Sequence, residues 1–313
     1  MRGKLRYRGG VQLLSSDPDF GGLSALVVSP DGARFVAVSD ESHWVTGSLV
    51  YSAGKLVCAK GIQIAPMLAP DGHALHGKEG DAEGLASTAD TGVFDELMVS
   101  FEGNHRIWRY PFKGYGVSAV PEDFPLPPEA LKAPPNAGLE GITRIDEDTL
   151  LAVTERFRNR QGNYRAWLLP LGRSPFAPPE PEPKPGEPQE WKLTEPREIA
   201  IRADPPYAMT DVRQMPGGDL VTLERRYDPT NGVGAQLRRI PVSAVVDAIE
   251  KGPAAPLDGE VLATLDTDFE IDNMEGLSIG TGPSGETLLW MVSDDNFNRP
   301  VQRTLLLMFE LQP

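Results

Sequence analysis

One short element recurs through this chain, and it constrains the fold more than any bulk property. Glu-Gly-Leu stands at Glu83-Gly84-Leu85 and Glu275-Gly276-Leu277, and Glu-Gly-Ile at Glu140-Gly141-Ile142. Weaker versions fill the gaps, Gly22-Leu23-Ser24 in GGLSALVVS and Thr210-Asp211-Val212 in AMTDVRQM. Each is followed by an Asp-, Gly- or Pro-rich turn and then an apolar strand ending in an acid. RFVAVSDES, ELMVSFEGN, TLLAVTERF, DLVTLERRY and LLWMVSDDN place Asp40, Glu102, Glu155, Glu224 and Asp294 there. A third strand follows in most units, as HRIWRYPF, RAWLLPL, AQLRRIPV and TLLLMFEL.

The copies begin near residues 23, 83, 140, 211 and 275. Self-similarity of this kind marks a repeat architecture, and a four-stranded propeller blade takes about 40–45 residues. These units are longer, so they read as blades with long loops. Gly (32) and Pro (30) are abundant in the 313 residues, which favours many short strands and turns over helices. The last copy leaves room for three strands before Pro313, and the N-terminal KLRYRGGVQLLS is the missing fourth. The expectation is an all-β fold, a single β-propeller domain over residues 1–313. Five four-stranded blades are expected, the ring closed by the N-terminal strand, with six blades as the alternative. SPFAPPEPEPKPGEPQE (174–190) cannot pair inside a sheet and reads as a polyproline-like excursion within the third blade, or as an interaction arm. PVSAVVDAIEKG (241–252) has the spacing of one short helix stopped by Gly252 and packed on a blade edge.

The formal net charge of −15 disfavours nucleic-acid binding, because it repels phosphate backbones. An anionic substrate would need a cation or a local arginine cluster. No apolar run is long enough to span a membrane. The single cysteine, Cys58, excludes an intramolecular disulfide and reads as a small buried strand residue.

In a propeller the first strand of each blade lines the channel and strands alternate direction outward. The start of strand one, the end of strand two and the loop after strand two then share one face. On that face fall Glu83, Glu140, Asp211 and Glu275, the second-strand acids, His105, Arg156, Arg158 and Arg226, and all four histidines of the chain. Carboxylates converging there require protons, arginines or a cation. The ring Glu83, Glu140, Asp211 and Glu275 suits a hard divalent cation, Ca²⁺ above all. The competing reading has each acid bonding backbone N–H groups or an arginine and fixing blade packing. Catalytic candidates are Glu102 and His105 for proton transfer and Arg156, Arg158 and Arg226 for an anionic group. No G-x-S-x-G elbow, P-loop or H-E-x-x-H is present.

Taken together, FGGLSALVVSPDGARFVAVSDES, DAEGLA, VSFEGNHRIWRYPF, NAGLEGIT, NMEGLSI and LLWMVSDDNFN resemble the phytase-like family, also described as esterase-like activity of phytase. The resemblance runs from Phe20 to Leu311 and implies a propeller with phosphoesterase or esterase activity. It carries no catalytic residues onto these positions. It implies a bacterial, periplasmic or secreted protein. The start MRGKLRYRGG lacks a following apolar run, so no export signal is visible and a cytoplasmic location stays open. The expected activity is metal-assisted hydrolysis of a small anionic or ester substrate by a monomer. A non-catalytic binding propeller and a calcium-dependent lactonase-type propeller are the alternatives.

Overall fold

A computed structural model describes residues 3–88, 94–114, 116–172, 193–230, 232–266, 268–299 and 301–313. The Pro-rich excursion at 174–190 lies outside these described residues. The outermost strand of the last unit comes first in the chain, β1 (Leu5–Gln12). The first complete unit is β2 (Leu23–Val28), β3 (Arg34–Ser39), β4 (His43–Ser52) and β5 (Lys55–Pro66). The second is β6 (Ala82–Ser87), β7 (Leu97–Phe101), β8 (Arg106–Tyr110) and β9 (Glu122–Phe124). β10 (Leu139–Asp146), β11 (Thr149–Arg158), β12 (Tyr164–Pro170) and β13 (Arg197–Ile201) form the third. The fourth has β14 (Ala208–Gln214), β15 (Leu220–Asp228), β16 (Gly232–Ile240) and β17 (Glu260–Leu265). The last has β18 (Asn273–Thr281), β19 (Thr287–Asp294) and β20 (Leu305–Leu311), with β1 antiparallel on β20 as its fourth strand.

Within each unit the strands pair antiparallel in chain order. One parallel bridge, Gly9 to Leu56, joins β1 to β5 and so links the last unit to the first. The innermost strands β2, β6, β10, β14 and β18 contact one another in cyclic order. The molecule is therefore a β-propeller closed by its N-terminal strand, with five four-stranded units among the described residues. Apolar residues of neighbouring sheets interleave into five clusters, one at each seam. The expected helix is α1 (Val242–Lys251), which buries Val245 and Ala248 against Ile201 and Leu220 at the edge of the third and fourth units. Cys58 corrects its expectation: it lies exposed on β5, because an outermost strand leaves its residues open to solvent. No helix among the described residues is long and apolar enough to cross a membrane.

Every first strand is bulged at the same place, at Ser24, Glu83, Glu140, Thr210 and Glu275. A bulge bends the strand and re-aims the extra residue. The glycine after each glutamate then permits close approach of the next inner strand. A Cβ on Gly141 would lie 2.7 Å from the Val212 nitrogen, and one on Gly276 2.9 Å from the Ala25 Cα. The fourth unit departs from this pattern. Thr210 takes the glutamate position, and Asp211 takes the glycine position.

Asp211 and Arg213 are buried together in the channel. Arg213 donates through Nη1 to Asp211 Oδ1 at 2.6 Å and to the Ile142 carbonyl at 2.7 Å. Its Nη2 donates to the carbonyls of Leu85 at 2.8 Å and Leu26 at 3.3 Å. Asp211 Oδ2 accepts the Leu277 N–H at 2.7 Å. This one ion pair thus reaches all five inner strands. Removing one partner of a buried pair leaves the other charge uncompensated, at about 3–5 kcal/mol. Arg213→Met is therefore expected to lower the unfolding free energy by about that amount in urea titrations. A loss under about 1 kcal/mol would mean the ring does not depend on the pair.

Candidate active site at the channel mouth

The bulges aim Glu83, Glu140 and Glu275 toward one end of the channel, where Glu140 and Glu275 are buried and Glu83 is half-buried. Each lies within the electrostatic field of others in the group. Burial, then Asp81, Glu102 and Glu275, raises Glu83 well above the ordinary carboxylate range. Burial and then Glu83 do the same to Glu140. Glu275 is pushed up to about 8 by burial, against the pull of Arg225. The ends of the second strands add Asp40 and Glu102, each pushed up to about 7 by burial, and Asp294, pushed up to about 6.

Three carboxyl groups converge most tightly. Oxygens of Asp81, Glu83 and Glu102 lie within 4.8 Å of one another. Asp81 is held in the left-handed region at φ 68°, a conformation that Asp tolerates better than most residues and that collects at functional sites. Its N–H donates to the Asp40 carbonyl at 2.9 Å, and its own carbonyl accepts the Glu102 N–H at 2.8 Å. The trio is thereby fixed across the seam of the first two units. Glu102 Oε1 also accepts the Gly138 N–H at 2.6 Å, from the third unit. No ion pair among the described residues involves any of the three; Arg106 and His105 reach Asp81 only through their fields.

The opposite side of the mouth carries its own cation. Arg225 Nε lies 2.6 Å from Glu275 Oε1, and Nη2 3.5 Å from Glu155 Oε1. Burial works against this charge, but Glu275, Glu155 and Glu140 together raise the Arg225 pKa above its ordinary value. Asn273 donates to Glu275 at 2.8 Å and to Asp294 at 3.3 Å. Beside this network opens a cavity of about 1040 Å³ lined by Arg156, Arg158, Arg225, Arg226, Asn273 and Asp294, among others.

The structure thus brings Glu83, Glu140 and Glu275 together, adds Glu102 to Glu83, and gathers Arg156, Arg158 and Arg226 at one cavity. It does not bring Asp211 to them. Both Asp211 oxygens are engaged deeper in the channel, by Arg213, the Val212 N–H and the Leu277 N–H. Glu224 is likewise turned away, into a fully buried pair with Arg238, and Arg225 occupies the mouth in its place. His105 is not open to the cavity. Its Nε2 donates to the Ala133 carbonyl at 3.0 Å, and its ring packs on Gly138, the residue whose N–H holds Glu102. Asp81 is absent from the sequence-based set; the signal available for it was its place two residues before Glu83 in DAEGL.

The closed ring and acid-lined mouth define a β-propeller with a candidate polar active site at one channel end. The family model phytase-like, described as esterase-like activity of phytase, matches residues 18–297, and the chain belongs to that family. Comparison with curated proteins finds no match. Among solved structures it is similar to the catalytic domain of Coprinopsis cinerea GH62 alpha-L-arabinofuranosidase, at 12% identity and TM-score 0.55, covering 100% of this chain and 99% of that one. It is also similar to the RRP9 WD40 repeats, at 10% identity and TM-score 0.46 with 97% and 99% covered. A glucose dehydrogenase gives 10% identity and TM-score 0.47, with 95% and 98% covered.

The raised pKa values have a stability consequence with a definite sign. A carboxyl raised in the folded state holds a proton that the unfolded chain has released, so folding takes up protons and stability falls as pH rises. The stabilisation is complete below about pH 4, the ordinary carboxylate value. It is lost as pH passes through about 7 for Asp40 and Glu102 and about 8 for Glu275. The melting temperature in chelating buffer is expected to fall between mildly acidic and mildly alkaline pH. A melting temperature that stays level or climbs over that range would count against protonated acids at the mouth.

Proposed function

We propose that this protein is a metal-assisted hydrolase of phosphate or carboxylic esters, acting at the acid-lined mouth of the propeller. The observation that carries the reading is the convergence of Asp81, Glu83 and Glu102 within 4.8 Å, without an ion-pair partner among the described residues. Such a cluster needs either protons or a cation. All three offer hard oxygen donors, the set that Ca²⁺ prefers, and Glu275 and Glu140 lie within the electrostatic reach of Glu83. The donor set therefore fits a divalent cation held by Asp81, Glu83 and Glu102. When bound, the cation would polarise an ester oxygen and acidify a water.

The remaining steps belong to the chain itself. Arg156, Arg158 and Arg226 line the adjoining cavity; Arg156 is paired with Glu155, and Arg158 and Arg226 supply N–H donors to an anionic group. Asp294 lines the same cavity, and its pKa of about 6 suits it to take up and release a proton near neutrality. His105 acts as a positioning residue, packing on the Gly138 backbone that holds Glu102. Arg225 limits repulsion between Glu155 and Glu275.

A second reading draws on that same Arg225, which ties acids of the third and last units together: the carboxyl groups serve only to join blades. The two readings separate on one variant. If the cluster holds a cation, Glu83→Gln is expected to lower bound Ca²⁺, measured by elemental analysis, and turnover of 4-nitrophenyl phosphate or acetate, by at least about tenfold. If the acids only join blades, the same variant alters the melting temperature alone. Purified protein without metal, whose melting and ester turnover ignore added divalent ions, would end the first reading.

A further inference from the structure

The cavity beside the acids is not uniformly charged. Arg156 and Arg225 are already committed, to Glu155 at 2.7 Å and to Glu275 at 2.6 Å. Arg158 and Arg226 have no carboxylate partner among the described residues. Each is steadied by an aromatic ring instead, Arg158 at 5.0 Å from the Tyr164 centroid and Arg226 at 6.0 Å from the Tyr207 centroid. The Tyr164 hydroxyl donates to the Tyr207 carbonyl at 2.8 Å, which ties the two supports together across the third and fourth units. An aromatic face steadies a guanidinium without neutralising it, and a guanidinium's N–H edge matches a planar or tetrahedral anion. Two uncompensated guanidiniums suffice for one anionic group. Asp272 and Asp294 also line the cavity and oppose further negative charge there.

The rest of the lining is mixed: Asn273, Asn296, Asn298 and Gln302 are polar, while Pro205, Tyr227, Val233 and Val301 add apolar surface. Tyr227 is 71% exposed and Val301 75% exposed, and both line this cavity. Ligand pockets combine apolar walls with a few placed polar groups, the walls taking the body and the polar groups fixing its orientation. A heavily phosphorylated polyol would leave Tyr227 and Val301 without a partner and would crowd its charges against Asp272 and Asp294.

We infer that the site selects an amphiphilic monoanion: one anionic group gripped by Arg158 and Arg226, with an apolar or aromatic body along Tyr227 and Val301. This rests on reading the mouth as a hydrolase site and names the substrate class that site takes. The test is isothermal titration of the purified protein with three probes. Phenylphosphonate has one anionic head and an aromatic body and resists hydrolysis. Inorganic phosphate has a comparable head alone, and inositol hexakisphosphate is the polyanion.

Phenylphosphonate is expected to bind at least about tenfold more tightly than either of the others. Arg158→Gln combined with Arg226→Gln is expected to weaken it by about tenfold or more. Tyr227→Ser with Val301→Ser, at positions exposed enough to spare the fold, is expected to weaken phenylphosphonate several-fold and leave phosphate unchanged. Equal binding of phosphate and phenylphosphonate, tighter binding of inositol hexakisphosphate, or indifference to the double arginine variant would each overturn the inference. The titration involves no bond cleavage, so the two readings fail separately. Fastest turnover on inositol hexakisphosphate would sink the selectivity and keep the hydrolase. Tight phenylphosphonate binding without turnover of any ester would do the reverse.

Discussion

The ring depends on one buried ion pair. Arg213 and Asp211 sit where the five inner strands come closest, and between them they bond to a backbone or side-chain group of every one. A propeller has no central core element; its sheets meet at the axis only through their first strands. The carbonyls of Leu26, Leu85 and Ile142 that point inward there would otherwise lack donors, and a buried unpaired carbonyl costs about 1–3 kcal/mol. One guanidinium serves three of them because its donors diverge in a plane. Arg213 also lines a second cavity of about 590 Å³ whose other lining includes Thr143, Gln214 and Ser278.

With the axis fixed in this way, the mouth can hold groups that repel one another. Glu140 and Glu275 are buried, Glu83 is half-buried, and all three are raised in pKa, so the fold favours their protonated forms. The backbone that carries them is closely packed at the glycines beside the bulges. Gly141 lies against the backbone of Asp211 and Val212, and Gly84 against the Glu140 carbonyl.

The sequence made the ring legible because each unit repeats the same physical demands. An inner strand needs a small residue where the next strand crowds it, and this keeps Glu-Gly-Leu recognisable at Glu83, Glu140 and Glu275. The closing strand was legible from arithmetic, since the last copy is one strand short. What could not be read was register. Thr210-Asp211-Val212 aligns with Glu-Gly-Leu by position, yet choosing the acid within it selects the residue in the glycine place, and only the bulge reveals that Thr210 holds the glutamate place. Asp211 consequently serves the axis and not the mouth. Glu224 and Arg225 present the same difficulty: adjacent residues on a strand point to opposite sides, and a shift of one exchanges the acid of the mouth for its cation.

His105 and Asp81 show a further limit. Both lie on the expected face, but their roles depend on loops between units, where no repeat constrains the path. His105 follows the signature acid and looks exposed in sequence; the segment from Ala133 to Gly138 covers it and turns it into a support for Glu102. Asp81 precedes Glu83 by two residues, a spacing that on an extended strand would place both side chains on one face. The positive φ at Asp81 and the bulge at Glu83 interrupt that geometry and fold the two carboxyl groups toward each other and toward Glu102. The candidate site joins the bulged glutamates that the repeat supplies to two departures from it: a left-handed aspartate before the second unit, and the fourth unit, where an arginine stands in for an acid. The regular parts of the ring hold those exceptions in place.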